Sequence, residues 1–179
     1  MNVLRYTVTS SLLLASLLAV APLAADSDDA VVARLSARWG FPDPIEGLWN
    51  AKVWLMPCGT QPTGEPFLAM AMFGRGGTFH DGNNSNPVSP APPVTLRSEA
   101  FGQWEHVAGR TYEFAFQFYR FDPAGNFTGS TIVRHTAQLA ADGSSYTSEG
   151  APEFFTATGQ PFQPPGPQLC SASTATRFE

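Results

Sequence analysis

Thr111-Tyr112-Glu113-Phe114-Ala115-Phe116-Gln117-Phe118-Tyr119-Arg120-Phe121 is the stretch on which the fold turns. Tyr112, Phe114, Phe116 and Phe118 alternate with Thr111, Glu113, Ala115, Gln117 and Tyr119. A period of two sets these groups on opposite faces of a β-strand. Aromatic side chains suit a pleated, half-buried surface. Asp122-Pro123-Ala124-Gly125-Asn126 then has turn chemistry, Pro presetting φ and Gly tolerating positive φ. Phe127 to Leu139 follows as a second strand, so 111–139 is a long antiparallel hairpin. On that second strand Phe127, Gly129, Thr131, Val133, His135, Ala137 and Leu139 share a mostly apolar face, on which His135 is a polar exception. The aromatic face needs a cover, and the cover determines the architecture.

Outward from the hairpin, further strands are expected. Glu46 to Cys58 carries Trp49, Ala51, Val53 and Leu55 on one face, and Pro66 to Phe73 alternates Phe67, Ala69, Ala71 and Phe73 with Leu68, Met70 and Met72. The second of these is apolar on both faces, as if buried on both or covered outside by an N-terminal helix. Gly74-Arg75-Gly76-Gly77 breaks or bulges it before Thr78-Phe79-His80. The Asn- and Pro-rich run from Asp81 to Pro93 has no strand pattern and is expected as a long loop. Val94 to Phe101 and Gly102 to Val107 provide one or two short strands, with Trp104 turned inward. Ser144 to Thr156 is a strand weakened by Gly150 and Pro152, and so bulged or at an edge. Leu169 to Phe178 is the last. The class is all-β, with seven to eight antiparallel strands joined mostly to sequence neighbours, as in a sandwich or a closed barrel.

The chain has 179 residues, 43% of them hydrophobic and 14% charged, which is a globular composition with room for one core. The net charge of −5 and a single lysine, Lys52, speak against a nucleic-acid partner. Met1 to Ala25 has the form of a secretory signal peptide: Arg5, an apolar run from Ser11 to Val20, then small residues at Ala21, Ala24 and Ala25. The run is short for a membrane anchor, so no integral membrane segment is expected after cleavage. Residues 26–45 follow as a helix and linker. Asp26-Ser27-Asp28-Asp29 caps a helix from Ala30 to Trp39, with Val31, Leu35 and Trp39 on one face and Gly40 ending it. Residues 46–179 form the β domain.

Export places the chain in an oxidising compartment, secreted or periplasmic, so Cys58 and Cys170 are expected to form a disulfide. Closing so long a loop contributes up to about 4–5 kcal/mol in the chain-entropy model. Two buried free thiols are the alternative. Neither cysteine has a histidine near it in sequence, which argues against a metal site there.

Gly47-Leu48-Trp49 at the head of the first strand, preceded by a short helix, resembles the Gly-x-Trp signature of lipocalins and the wider calycin group. The resemblance implies an up-and-down antiparallel barrel whose closed end is plugged by Trp49. It also implies that a basic residue near the C-terminus packs over that Trp, a role Arg177 fits. Cys58 and Cys170 would join the first and last strands of such a barrel. Gly102-Gln103-Trp104 repeats the motif elsewhere, and the later lipocalin motifs are missing.

With the even face of 111–121 turned into a barrel, Trp104, Tyr112, Phe114, Phe116, Phe118 and His135 become candidate ligand-binding residues. Such a lumen either holds a small apolar molecule or is filled as core. His135 would fix a polar group or act as acid or base, or else be a structural histidine. His106 shares the parity of Trp104 and is placed to approach His135; His80 lies near the loop. These three histidines have no metal-binding spacing, and neither metal nor cofactor is expected. No nucleophile elbow, zincin motif or phosphate loop is present. The expected function is an exported, lipocalin-like protein binding a small apolar molecule. The alternatives are an isomerase or cyclase using His135 or Tyr112, and an interaction domain with a filled core that contacts partners through the 81–93 loop.

Overall fold

The structure, a computed structural model, describes residues 42–83 and 96–178. The expected signal peptide and the helix at 30–39 lie outside the described residues. The described residues form ten strands: β1 (Gly47–Pro57), β2 (Phe67–Gly74), β3 (Thr78–Asn83), β4 (Leu96–Arg97), β5 (Ala100–Ala108), β6 (Thr111–Phe121), β7 (Phe127–Leu139), β8 (Ser145–Thr156), β9 (Pro161–Phe162) and β10 (Leu169–Arg177). Eight of them run in the order β10-β1-β2-β3-β5-β6-β7-β8, and β8 pairs back onto β10. The result is an eight-stranded, all-antiparallel closed barrel in sequential order. The two-residue strands β4 and β9 hang on β6 and β8.

The hairpin at the centre of the argument is β6–β7, in register Tyr112↔Ala137, Phe114↔His135, Phe116↔Val133 and Phe118↔Thr131. Its turn is held by Asp122, whose carboxylate accepts from the amides of Ala124 (2.9 Å) and Asn126 (2.8 Å). Gly125 takes the positive φ the turn requires. Alternation holds along β7: Thr131, Val133, His135, Ala137 and Leu139 are buried, while Arg134, Thr136 and Gln138 are exposed.

Three expectations are corrected. Gly74-Arg75-Gly76-Gly77 is a hairpin turn between separate strands, since β2 pairs β3 with Phe73 opposite Phe79. The loop expected from Asp81 begins later: Asp81, Gly82 and Asn83 pair with Ala71, Met70 and Ala69. Asn-rich composition hid the fact that Asp81 and Asn83 continue the parity of Phe79. Finally, β8 is neither bulged nor at an edge, but pairs without a register shift to β7. Pro152 falls where the other side of β8 changes partner, from β10 (up to Gly150) to β9 (from Phe154), so its missing N–H is not needed. The outer face of β2 is exposed at Leu68, Met70 and Met72.

One end of the barrel is packed solid. Trp49 is fully buried, its ring meeting Tyr146 edge-on at 5.0 Å and its Nε1 donating to the Ile45 carbonyl at 2.9 Å. The Arg177 guanidinium lies 4.3 Å over the indole. It donates to the carbonyls of Glu46 (2.8 Å), Gly143 (3.1 Å) and Pro44. Gly47 is required beside it, because a Cβ there would lie 2.8 Å from Arg177 Nη1 and its φ is +130°. Cys58 and Cys170 form a disulfide at the other end of the β1–β10 seam, across a sequence separation of 112.

Candidate functional site

Above the plug the barrel is hollow. A cavity of about 210 Å³ lies inside it, larger than the ~150 Å³ apolar cavity that suffices for a benzene. Its aromatic wall is β6, with Phe114, Phe116 and Phe118. Facing strands contribute small side chains: Ala51, Ala69 and Ala71 from β1 and β2, and Ser171 and Ser173 from β10. The aromatic wall of β6 facing these small side chains leaves the space, which Leu55, Phe67, Phe79, Tyr146 and Phe154 also border. Phe79 stacks with Phe114 at 4.7 Å and with Phe116 at 5.3 Å, fixing the aromatic wall. Inward residues of the upper half, among them Val53, Leu55, Phe118 and Leu169, are only half-buried, so the cavity communicates with solvent there.

Of the expected site residues, Phe114, Phe116, Phe118 and His135 line this cavity. Trp104 and Tyr112 do not; they belong to the plugged end. Trp104 Nε1 donates to the Gly74 carbonyl at 2.9 Å. Tyr112 hydrogen-bonds Asp43 and stacks on His106 at 4.6 Å, and burial followed by the Asp43 carboxylate raises its pKa. His106 bonds the Gly109 carbonyl and lies 3.3 Å from Asp43, with no contact to His135. His80 pairs with Glu99 at 2.9 Å. The three histidines therefore sit at separate places, and among the described residues no group of three His, Cys, Asp or Glu side chains could hold a metal ion.

His135 is 7% exposed, and burial pushes its pKa down to about 4, so the imidazole is neutral at pH 7. Both ring nitrogens are bonded: Nδ1 to Ser148 Oγ and Nε2 to Ser171 Oγ, each at 2.7 Å. Ser148 Oγ in turn meets Ser173 Oγ at 2.7 Å. Gly150 opposite makes room for the ring, since a Cβ there would lie 2.3 Å from His135 Cδ2.

Several cavity residues were not foreseen. Asp81 and Arg97 form an ion pair of 2.7 Å, and the Arg97 guanidinium covers the Phe118 ring at 4.1 Å. Desolvation raises the Asp81 pKa, with Arg97 acting against it. Arg120 continues the inward parity of Phe118. It donates to the Phe155 carbonyl at 2.7 Å and lies 5.6 and 5.3 Å over the Phe154 and Phe162 rings, while its buried Nε has no partner among the described residues. The Thr131 hydroxyl, 1% exposed, also has no partner among them. Parity alone, carried past Phe79 and past Phe118, would have found Asp81 and Arg120. Nothing local marks Ser148, Ser171 and Ser173 as partners of His135, because they come from two strands distant in sequence.

Comparison of the chain with protein-family models, curated proteins and solved structures finds no match in any of the three.

Proposed function

We propose that the protein is an exported, lipocalin-like container that binds a small, mostly apolar molecule in the upper half of its barrel. The observation that carries this is the contrast within one barrel: a plugged end with paired polar groups, and an aromatic-lined hollow reaching solvent at the other. Such hollows, largely apolar with a few placed polar groups, are the usual form of a ligand site. Trp49 under Arg177, beside Gly47, supports the lipocalin-like assignment. The leader-like sequence at 1–25 and the Cys58–Cys170 disulfide support secretion or a periplasmic location.

Binding is favoured over acid–base turnover. An imidazole whose pKa has fallen to about 4 is a poor base near neutrality, and Tyr112 lies off the cavity wall.

The test uses N-phenyl-1-naphthylamine, a neutral fluorescent probe, and a variant that fills the hollow, Ala69→Phe. The native protein is expected to bind the probe saturably. The variant, if its circular dichroism is native, should bind at least tenfold more weakly. No saturable binding, or unchanged binding in the folded variant, overturns the proposal.

A further inference from the structure

The wall around His135 has one hydrogen more than its own acceptors use. Ser171, His135, Ser148 and Ser173 form a linear chain joined by three hydrogen bonds of 2.7 Å. A neutral imidazole brings one N–H and each serine one O–H, so four hydrogens serve three bonds. With the proton on Nδ1, His135 donates to Ser148, Ser148 donates to Ser173, and Ser171 donates to Nε2; the Ser173 hydrogen is then unused. With the proton on Nε2 every arrow reverses, and the Ser171 hydrogen is unused. Both serines line the cavity. A second hydroxyl on the same wall, Thr131 Oγ1, is buried, lines the cavity and has no partner among the described residues. A bare hydrocarbon in the cavity would leave Thr131 Oγ1 without a partner and the spare serine hydrogen without an acceptor, although the serine oxygen itself is bonded. The groups at the serine end are neutral and the Arg97 charge is answered by Asp81; Arg120, the other cation of the lining, donates to the Phe155 carbonyl and lies over the Phe154 and Phe162 rings.

We infer that the natural occupant is an oxygen-bearing apolar molecule of the ketone, ester or ether class, its oxygen accepting the spare hydroxyl hydrogen of Ser171 or Ser173. This rests on the container proposal and deepens it. Occupancy then selects the His135 tautomer: an oxygen at Ser173 holds the proton on Nδ1, and one at Ser171 holds it on Nε2.

The test compares indane with 1-indanone, the same carbon frame without and with a carbonyl, on the full chain. Calorimetry is expected to show 1-indanone binding at least tenfold tighter. The imidazole 15N resonances of His135 should move towards a single tautomer with the ketone and stay in place with indane. In the double variant Ser171→Ala, Ser173→Ala the ketone preference should fall at least fivefold. Indane binding as tightly as the ketone, or a preference that survives the double variant, overturns the inference while leaving the container intact. Binding of neither probe overturns the inference, and the naphthylamine probe then tells whether the container fails with it. Should the double variant not fold, the native protein decides: unmoved His135 15N resonances on ketone binding overturn the inference.

Discussion

The two ends of this barrel are built from the same strands and differ in what those strands turn inward. At the plugged end, Tyr146 meets Trp49 and Phe73 edge-on, Tyr112 meets Trp104 edge-on, and Phe73 contacts Phe79, Trp104, Phe114 and Tyr146 at 5.0 to 6.0 Å. Further along, β1 and β2 present Ala51 and Ala69 instead, and the phenylalanines of β6 face space. Alternation makes a wall; the volumes of residues facing one another across the lumen decide whether it encloses a core or a room. The polar groups follow the same division. Arg177 donates to three carbonyls, whereas Thr131 Oγ1 and Arg120 Nε have no partner among the described residues.

The largest effect should come from emptying the plug. Trp49→Ala is expected to cost about 3–5 kcal/mol, read as a lower urea midpoint at constant slope. Phe116→Ala, on the half-buried cavity wall, should cost only about 1–2 kcal/mol. Equal losses would mean that the upper half is packed as core, and the contrast between the ends would fail.

Acid sharpens the comparison next. The His135 pKa is about 4 in the folded barrel against 6.5 unfolded, so the native state binds fewer protons between those values. Stability is therefore fully present above pH 6.5 and is lost as pH falls towards 4, by something on the order of 3 kcal/mol. His135→Asn should flatten the dependence of the urea midpoint on pH across that window. Asp81, whose pKa is raised by burial, acts in the opposite sense: its stabilising proton is gained as pH falls through its folded value. Asp81→Asn should thus steepen the acid loss that His135→Asn relieves; the same response from both would refute the assignment.

A further comparison concerns one methyl group. Gly47→Ala puts a Cβ against Arg177 Nη1 and forces a side chain onto φ +130°. A cost of about 1–3 kcal/mol is expected, and Arg177→Met should remove most of the steric part. Additive losses in the double variant would show that the contact does not matter.

The sequence exposes these two ends unequally. The plug was legible because its parts are large and distinctive: Gly47, Trp49 and Arg177 stand out, and so does the alternation of β6. Both strands of the β6–β7 hairpin have the expected limits, because aromatic period-two patterning and an Asp-Pro-Ala-Gly-Asn turn agree with each other. The polar fittings of the cavity were hidden. Ser171-Ala172-Ser173 is uniformly small and buried at all three positions, so it has neither hydrophobic contrast nor alternation to read. Asp81 and Arg97 flank the Asn- and Pro-rich run, whose turn-like composition masked the end of β3 before it. Trp104 and Tyr112 have the parity of cavity residues, but parity fixes a face of the sheet and not a height along the barrel.

The disulfide has a mechanical consequence. Because Cys58 and Cys170 join strands that lie side by side, the intervening polypeptide is a covalent loop of sequence separation 112. Tension applied at the two termini passes through the sulfur bridge and bypasses that loop. In a single-molecule stretching trace the oxidised chain should conceal about 370–400 Å of contour length, released only when a reductant is added. Until then the hoop can be tugged at its seam, but the strands that form most of the chamber carry none of the load.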